Sequence, residues 1–228
     1  MNEKELLRVV GEIREEGFEA AYHICNITKE EEVVSLMDFA VKTYGALNIV
    51  IANAGIIRDG LMIQTDEEGK VKKIMSLSQF QSVLDVNLTG CFLTLREGAV
   101  RMVNNKWEGL LLIVSSINKT GQVGQLNYSS TKASVALWPK ILSGEFHMKG
   151  IHHIRIVGIA PGYVATPILK NMNQKALDTI LKDVHIQRLI EPEEITGLMK
   201  VAAENDALDA TTLEITGGVL YGNRTIAK

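Results

Sequence analysis

From Glu3 to Glu16 the apolar residues Leu6, Leu7, Val10 and Ile13 recur at helical spacing, and Gly17 follows where a helix stop belongs, so the pattern predicts an opening amphipathic helix. Phe18 to Ile24 reads as a short strand, and a second helical pattern runs through Val33, Val34, Met37, Phe39 and Ala40. Asn48 to Ala52 and Leu110 to Val114 are apolar runs too short for helices, and they predict buried strands. Between them, the polar stretch from Asp59 to Lys73 predicts a surface loop or small hairpin. Ser76 to Gln79 has the spacing of a capping box and opens a long helix through Phe80, Val83, Leu84, Leu88, Phe92 and Leu95. Further on come a helix from about Tyr128 to Met148, a strand from about Ile154 to Ala160, a charged helical stretch, a helix starting near Pro192 and a last strand from Thr212 to Ile215.

Helices alternating with short, continuously apolar strands imply a parallel sheet covered on both faces, a doubly wound α/β fold. Ligands of such sheets bind outside the carboxyl ends of the strands. That rule directs attention to Asn26, to Asn53, Ala54 and Gly55, to Ser115 and Ser116, and to the segment from Pro161 to Thr166.

Composition narrows the classes. The 228 residues are 46% hydrophobic and carry a net charge of −3, enough apolar matter for one large core and no basic footprint for nucleic acid. The sequence has no run of membrane-spanning length and no signal-peptide pattern in its first twenty residues. Cys25 and Cys91 lack ligand-like spacing, so neither a disulfide framework nor a cysteine-built metal site is expected, and the compartment expected is the cytoplasm.

Tyr128 and Lys132 stand four apart in a helical pattern, one turn apart on the same face. A lysine ammonium beside a phenol favours the phenolate, which would lower the tyrosine pKa and suit it to general acid catalysis. Alone, Tyr-x-x-x-Lys is common by chance and usually marks an exposed helix face. Ser115 lies thirteen residues earlier at a strand end, and Gly121 to Gln125 can loop the chain back so that serine and tyrosine converge.

With these residues in place, the chain resembles the short-chain dehydrogenase/reductase family: Asn53-Ala54-Gly55 after one strand, Ser115 after the next, Tyr128-x-x-x-Lys132 thirteen residues on, Asp85 to Gly90 before the serine strand, and Pro161 to Pro167 after the following one. Gly124 to Ser129, Glu191 to Ile195 and the Gly217-Gly218 ending are similar to bacterial 3-oxoacyl-acyl-carrier-protein reductases. The resemblance implies a single Rossmann-like domain over 1–228 that reduces a ketone, most simply a 3-oxoacyl thioester, with NADP or alternatively NAD. It implies that Tyr128 donates the proton, Ser115 stabilises the developing oxyanion, Lys132 lowers the tyrosine pKa and holds the ribose, and Asn87 anchors a relay water. Ser116 is equally a strand-end hydroxyl or a functional one. Asn26 and Ile27 would meet the adenine, Asn53, Ala54 and Gly55 would line the cofactor, and Pro161, Gly162, Val164 and Thr166 would border the nicotinamide. A homodimer or homotetramer is implied, with Lys106 and Lys149 as candidate contacts for an acyl carrier protein, and the segment from Gln174 to Lys182 as a cover over the substrate.

The family's opening strand, glycine-rich turn, helix and second strand have no counterpart in these residues, a difference of roughly 30 to 40 residues for such a unit. The expectation is therefore a shortened member whose Phe18 strand lacks a neighbour and whose Asn48 strand becomes an edge. A non-catalytic binding or assembly subunit, or completion by a second polypeptide, are the alternatives. Pro139, inside the helix of the implied oligomer interface, leaves assembly open, and His152 and His153 read as loop residues rather than metal ligands.

Overall fold

The computed structural model of the chain describes residues 2–219; residue 1 and residues 220–228 of the expected domain lie outside the described residues. Helix α1 spans Glu3–Glu15, capped by the Asn2 side chain accepting from the Glu5 N–H, and the chain turns out of it at Gly17 with φ +89°. The strand expected over Phe18 to Ile24 does not form: the run is irregular, with Phe18 66% and Ile24 44% exposed. A strand needs a ladder partner for its N–H and C=O groups, and here the Arg14 guanidinium supplies donors to the Ala20 carbonyl instead.

Helix α2 (Glu30–Tyr44) ends at Gly45, whose φ of +79° is the left-handed conformation of a helix stop. Strand β1 (Ile49–Ala52) leads to a hairpin of β2 (Ile63–Thr65) and β3 (Val71–Ile74), which settles the loop-or-hairpin choice. The long helix expected after Ser76 has three parts: α3 (Leu77–Leu84), a π-helical turn (Asp85–Gly90) and α4 (Cys91–Asn105). Only half of the expected capping box exists. Ser76 Oγ accepts from the Gln79 N–H, but the Gln79 side chain reaches to the Arg58 and Asp59 carbonyls. Then come β4 (Gly109–Val114), α5 (Leu126–Met148), β5 (Ile154–Pro161), α6 (Pro167–Lys170), α7 (Gln174–Leu181), α8 (Pro192–Glu204) and β6 (Thr211–Ile215).

The sheet is parallel throughout, in the order β1-β4-β5-β6, with Ile49 beside Leu110, Gly109 beside Ile154 and Val157 beside Thr211. Both faces are covered, as a doubly wound fold requires. Val50, Leu111, Ile113 and Ile156 pack against α2, α4 and α5, while Leu110, Leu112, Val157 and Ile159 pack with Ile195 and Ala202 of α8. The second cover stops short of β1. Among the described residues β1 pairs on one side only, and Ile49 and Ile51 remain 47% and 45% exposed.

Helix α5 runs unbroken through Pro139, which cannot donate to the Val135 carbonyl one turn earlier. In the same turn the Thr212 hydroxyl of β6 donates to the Ala136 carbonyl at 2.8 Å. Thr212 fits there because its neighbour is Gly158, where a Cβ would come within 2.3 Å of the hydroxyl.

Candidate active site

Because all four strands run the same way, Asn53 to Gly55 after β1, Ser115 and Ser116 after β4 and Pro161 to Thr166 at the end of β5 share one edge of the sheet. Helix α5 adds Tyr128 and Lys132 from its first turns, and the π-helical turn adds Asn87.

Asn87 is 2% exposed, and its amide clamps one backbone unit: Oδ1 accepts from the Ile56 N–H at 2.8 Å and Nδ2 donates to the Ile56 carbonyl at 3.0 Å. Nδ2 also approaches the Thr131 hydroxyl at 3.4 Å. The widened π turn is a local insertion in the helical ladder of a kind often found at functional sites. It is packed by Gly90, where a Cβ would stand 2.5 Å from the Ile27 side chain. The clamp fixes the chain just after Asn53, Ala54 and Gly55, all three exposed. A Cβ on Gly55 would lie 3.3 Å from Asn87 Oδ1 and 3.7 Å from Lys132 Nζ, so the glycine keeps a shallow cradle open between the two side chains.

The two serines divide. Ser115 turns inward and its hydroxyl donates to the Lys132 carbonyl at 2.7 Å, a helix-to-strand tie. The Ser116 hydroxyl stands on the side of the Tyr128 phenol and pulls the tyrosine pKa down. It also accepts from the Asn118 N–H. The structure therefore brings Ser116, and not the expected Ser115, to the tyrosine.

The expected lowering of the Tyr128 pKa by Lys132 is also overturned. Burial raises the phenol above its ordinary range and the Asp59 carboxylate raises it further, against the pull of Ser116. Lys132 stands with its ammonium 5.7 Å from the centre of the tyrosine ring and donates to the Val114 carbonyl at 2.7 Å. Burial lowers the lysine itself. The Cys91 thiol is pushed up to about 12 by burial and stays protonated.

Other expected residues lie further out. Asn26 is exposed and caps a local turn, accepting from the N–H and hydroxyl of Thr28, while Ile27 packs inward on Gly90. Gly162 lets β5 pass Thr216, whose backbone would be 2.9 Å from a Cβ there. Val164 bridges to Ile190, and Thr166 sits at the start of α6 without capping it. Lys106 and Lys149 are exposed at the far ends of α4 and α5, leading into the opposite edge of the sheet from Tyr128. Helix α7 has no buried residue. A cavity of about 580 Å³ between Asn48, Glu108, His153 and Asp209 lies at that opposite edge and holds none of the residues above.

Asp59, Gln79, Gln125 and Asn127 join the loop after Gly55 to the start of α5; in the sequence Gln79 stands out only as a capping-box position, and Gln125 and Asn127 only within the Gly124 to Ser129 resemblance. Asp59 reads only as the start of a polar loop, and its partner Gln125 is 66 positions away.

The model of the family described as short chain dehydrogenase matches residues 1–177. A curated relative, the 3-oxoacyl-[acyl-carrier-protein] reductase of Synechocystis sp., is 30% identical over 215 residues, covering 93% of this chain and 81% of the relative. The enzyme of the same name from Buchnera aphidicola subsp. Baizongia pistaciae is 33% identical over 196 residues, covering 85% and 75%. Among solved structures, a 7 alpha-hydroxysteroid dehydrogenase complexed with NADH and 7-oxo glycochenodeoxycholic acid superposes with a TM-score of 0.82 at 24% identity, covering 95% of this chain and 81% of that one. The fold, the motif residues gathered at one sheet edge and the family match together place this chain in the short-chain dehydrogenase/reductase family of oxidoreductases.

Proposed function

We propose that the chain is a nicotinamide-dependent ketoreductase acting on a 3-oxoacyl thioester or a ketone of similar size, with NADPH as the cofactor to test first. The observation that carries the reading is the meeting of Tyr128, Ser116, Lys132 and the Asn87 clamp at the carboxyl edge of the sheet. The names of the curated relatives support the thioester.

The residues fit the ribose and nicotinamide half of a dinucleotide. Gly55 leaves space between Asn87 and Lys132, and the Lys132 ammonium, bonded to one carbonyl, has donors left for ribose hydroxyls. For the pyrophosphate half, the sequence holds no glycine-rich turn and the described residues show no strand beside β1 to carry one. When bound, the nicotinamide supplies the hydride. Tyr128, kept protonated by burial, then gives its proton to the carbonyl oxygen, and the Ser116 hydroxyl donates to that oxygen as charge develops on it. Lys132 would hold the ribose through the donors that its bond to the Val114 carbonyl leaves free. Asn87 fixes the segment after Gly55 on which the ring would rest.

The experiment is NADPH oxidation followed by absorbance with a 3-oxoacyl thioester, alongside calorimetric titration with NADPH and NADH. Turnover that disappears in Tyr128→Phe supports the reading. Cofactor binding without turnover on any ketone would favour a binding subunit, the reading to which the unpaired edge of β1 points.

A further inference from the structure

We propose that Asp59 is a positioning and specificity-determining residue of this site: clamped beside Tyr128 by Gln125, its carboxylate selects against ketones that bear a negative charge next to the carbonyl. The inference rests on the ketoreductase reading for the group that Tyr128 meets, and adds to it the charge class of the substrate.

The loop carrying Asp59 is stitched to the loop that opens α5. Asp59 Oδ2 accepts from Gln125 Nε2 at 2.9 Å, the Gly60 N–H donates to the Gly124 carbonyl at 2.8 Å, and Asn127 Nδ2 donates to the Arg58 carbonyl at 3.0 Å. Gln79 Nε2, from α3, donates to both the Arg58 and Asp59 carbonyls, at 3.0 and 3.1 Å. Asn127 is fully buried, so the stitch is anchored in the interior although Asp59 itself is exposed. Gln125 is the cap residue of α5 and Tyr128 is the third residue of that helix, so a carboxylate tied to Gln125 is kept at the end of α5 that carries the tyrosine.

Among the described residues, the ionisable groups set against Tyr128 are few. Asp59 comes from the loop, Lys132 from the next turn of α5 with its ammonium turned onto the Val114 carbonyl, and the protonated Cys91 of α4 lies beside Lys132. The charge of Asp59 reaches the phenol, since it favours the protonated form. A carbonyl oxygen accepting from Tyr128 must lie within hydrogen-bond distance of the same hydroxyl. A free carboxylate one or two carbons from that carbonyl would thus be held near a second negative charge. A thioester, ester or amide at the same position carries no such penalty. Across a few ångströms of partly screened space, one unit charge corresponds to roughly a three- to ten-fold preference.

The test uses the full chain labelled with 3-fluorotyrosine, whose phenol titrates low enough to follow while the fold survives; Tyr128→Phe identifies the Tyr128 fluorine resonance. In Asp59→Asn, which keeps an oxygen for Gln125, that resonance is expected to titrate at lower pH than in the parent, and Asp59→Glu is expected to restore the parent behaviour. With NADPH present, the same resonance reports binding of ethyl 3-oxobutanoate and of 3-oxobutanoate, so selection is measured whether or not the ketone is reduced. The parent is expected to prefer the ester, and Asp59→Asn to shrink that preference roughly three- to ten-fold. An unmoved titration, or an unmoved ester-to-acid ratio, overturns the proposal. A moved titration and ratio without NADPH oxidation by any variant would sink the ketoreductase reading and leave the role of Asp59 in ligand charge standing.

Discussion

Two adjacent serines after β4 do different work. The Ser115 hydroxyl is spent on the Lys132 carbonyl, so Ser115→Ala is expected to cost about 1 kcal/mol of stability and to change kcat by less than a few-fold, checked by thermal melts beside a rate assay. Ser116 lies towards the phenol, and Ser116→Ala is expected to lower kcat by about 10²- to 10³-fold, with a stability cost of about 1 kcal/mol from the lost Asn118 N–H bond. Should Ser115→Ala be the damaging change, the reading of which hydroxyl faces the substrate is wrong. Tyr128→Phe removes the proposed proton donor and is expected to lower kcat by about 10²- to 10⁴-fold. The motif types were legible in the chain; the assignment between two identical neighbours was not, because successive residues leaving a strand point to opposite sides.

At the scale of elements, the ends of helices carry the clearest pH signal. Glu194, in the first turn of α8, is held at about 2 by the Arg188 guanidinium and then by the Glu191 N–H, against an ordinary 4.5. The folded state therefore binds the proton less readily than the unfolded chain. The resulting stabilisation is present above the ordinary carboxylate value of 4.5 and fades as pH falls towards 2. Glu194→Gln is expected to lower the Tm at pH 7 and to leave it unchanged near that lower limit; an equal loss at both would assign the effect to packing. The π-helical turn makes a second prediction. Gly90→Ala would drive a methyl into Ile27 and is expected to cost roughly 1–3 kcal/mol by chemical denaturation, more than an alanine in an ordinary helix turn would. Periodicity predicted the helices because their apolar stripes repeat locally. It could not show the extra residue in the turn around Asn87, since a π turn interrupts the ladder without changing residue character.

For the whole molecule, the decisive feature is the open side of β1. Its N–H and C=O groups on one side have no ladder partner among the described residues, and Ile49 and Ile51 stand close to half exposed beside it. Such an edge templates pairing with other chains. Light scattering of the chain is expected to show association that grows with concentration, and Ile51→Lys to suppress it without loss of helical circular dichroism; monodisperse parent protein would count against an accessible edge. The alternation of 3.6-residue helical patterns with short apolar runs was enough, by itself, to determine a parallel doubly wound sheet and to mark the strand ends as the place for chemistry, because burial on both faces is written into each strand's own composition. Only the tertiary structure decided that Phe18 to Ile24 is not a strand, that Ser115 turns to the Lys132 carbonyl while Ser116 lies towards Tyr128, and that Asp59 is tied to the cap of the helix carrying the tyrosine. Each of those depends on a partner distant in the chain: a missing ladder neighbour, a helix packed across the sheet, a glutamine 66 residues away. No local pattern encodes such a partner, since the energy that selects it arises only when the segments meet.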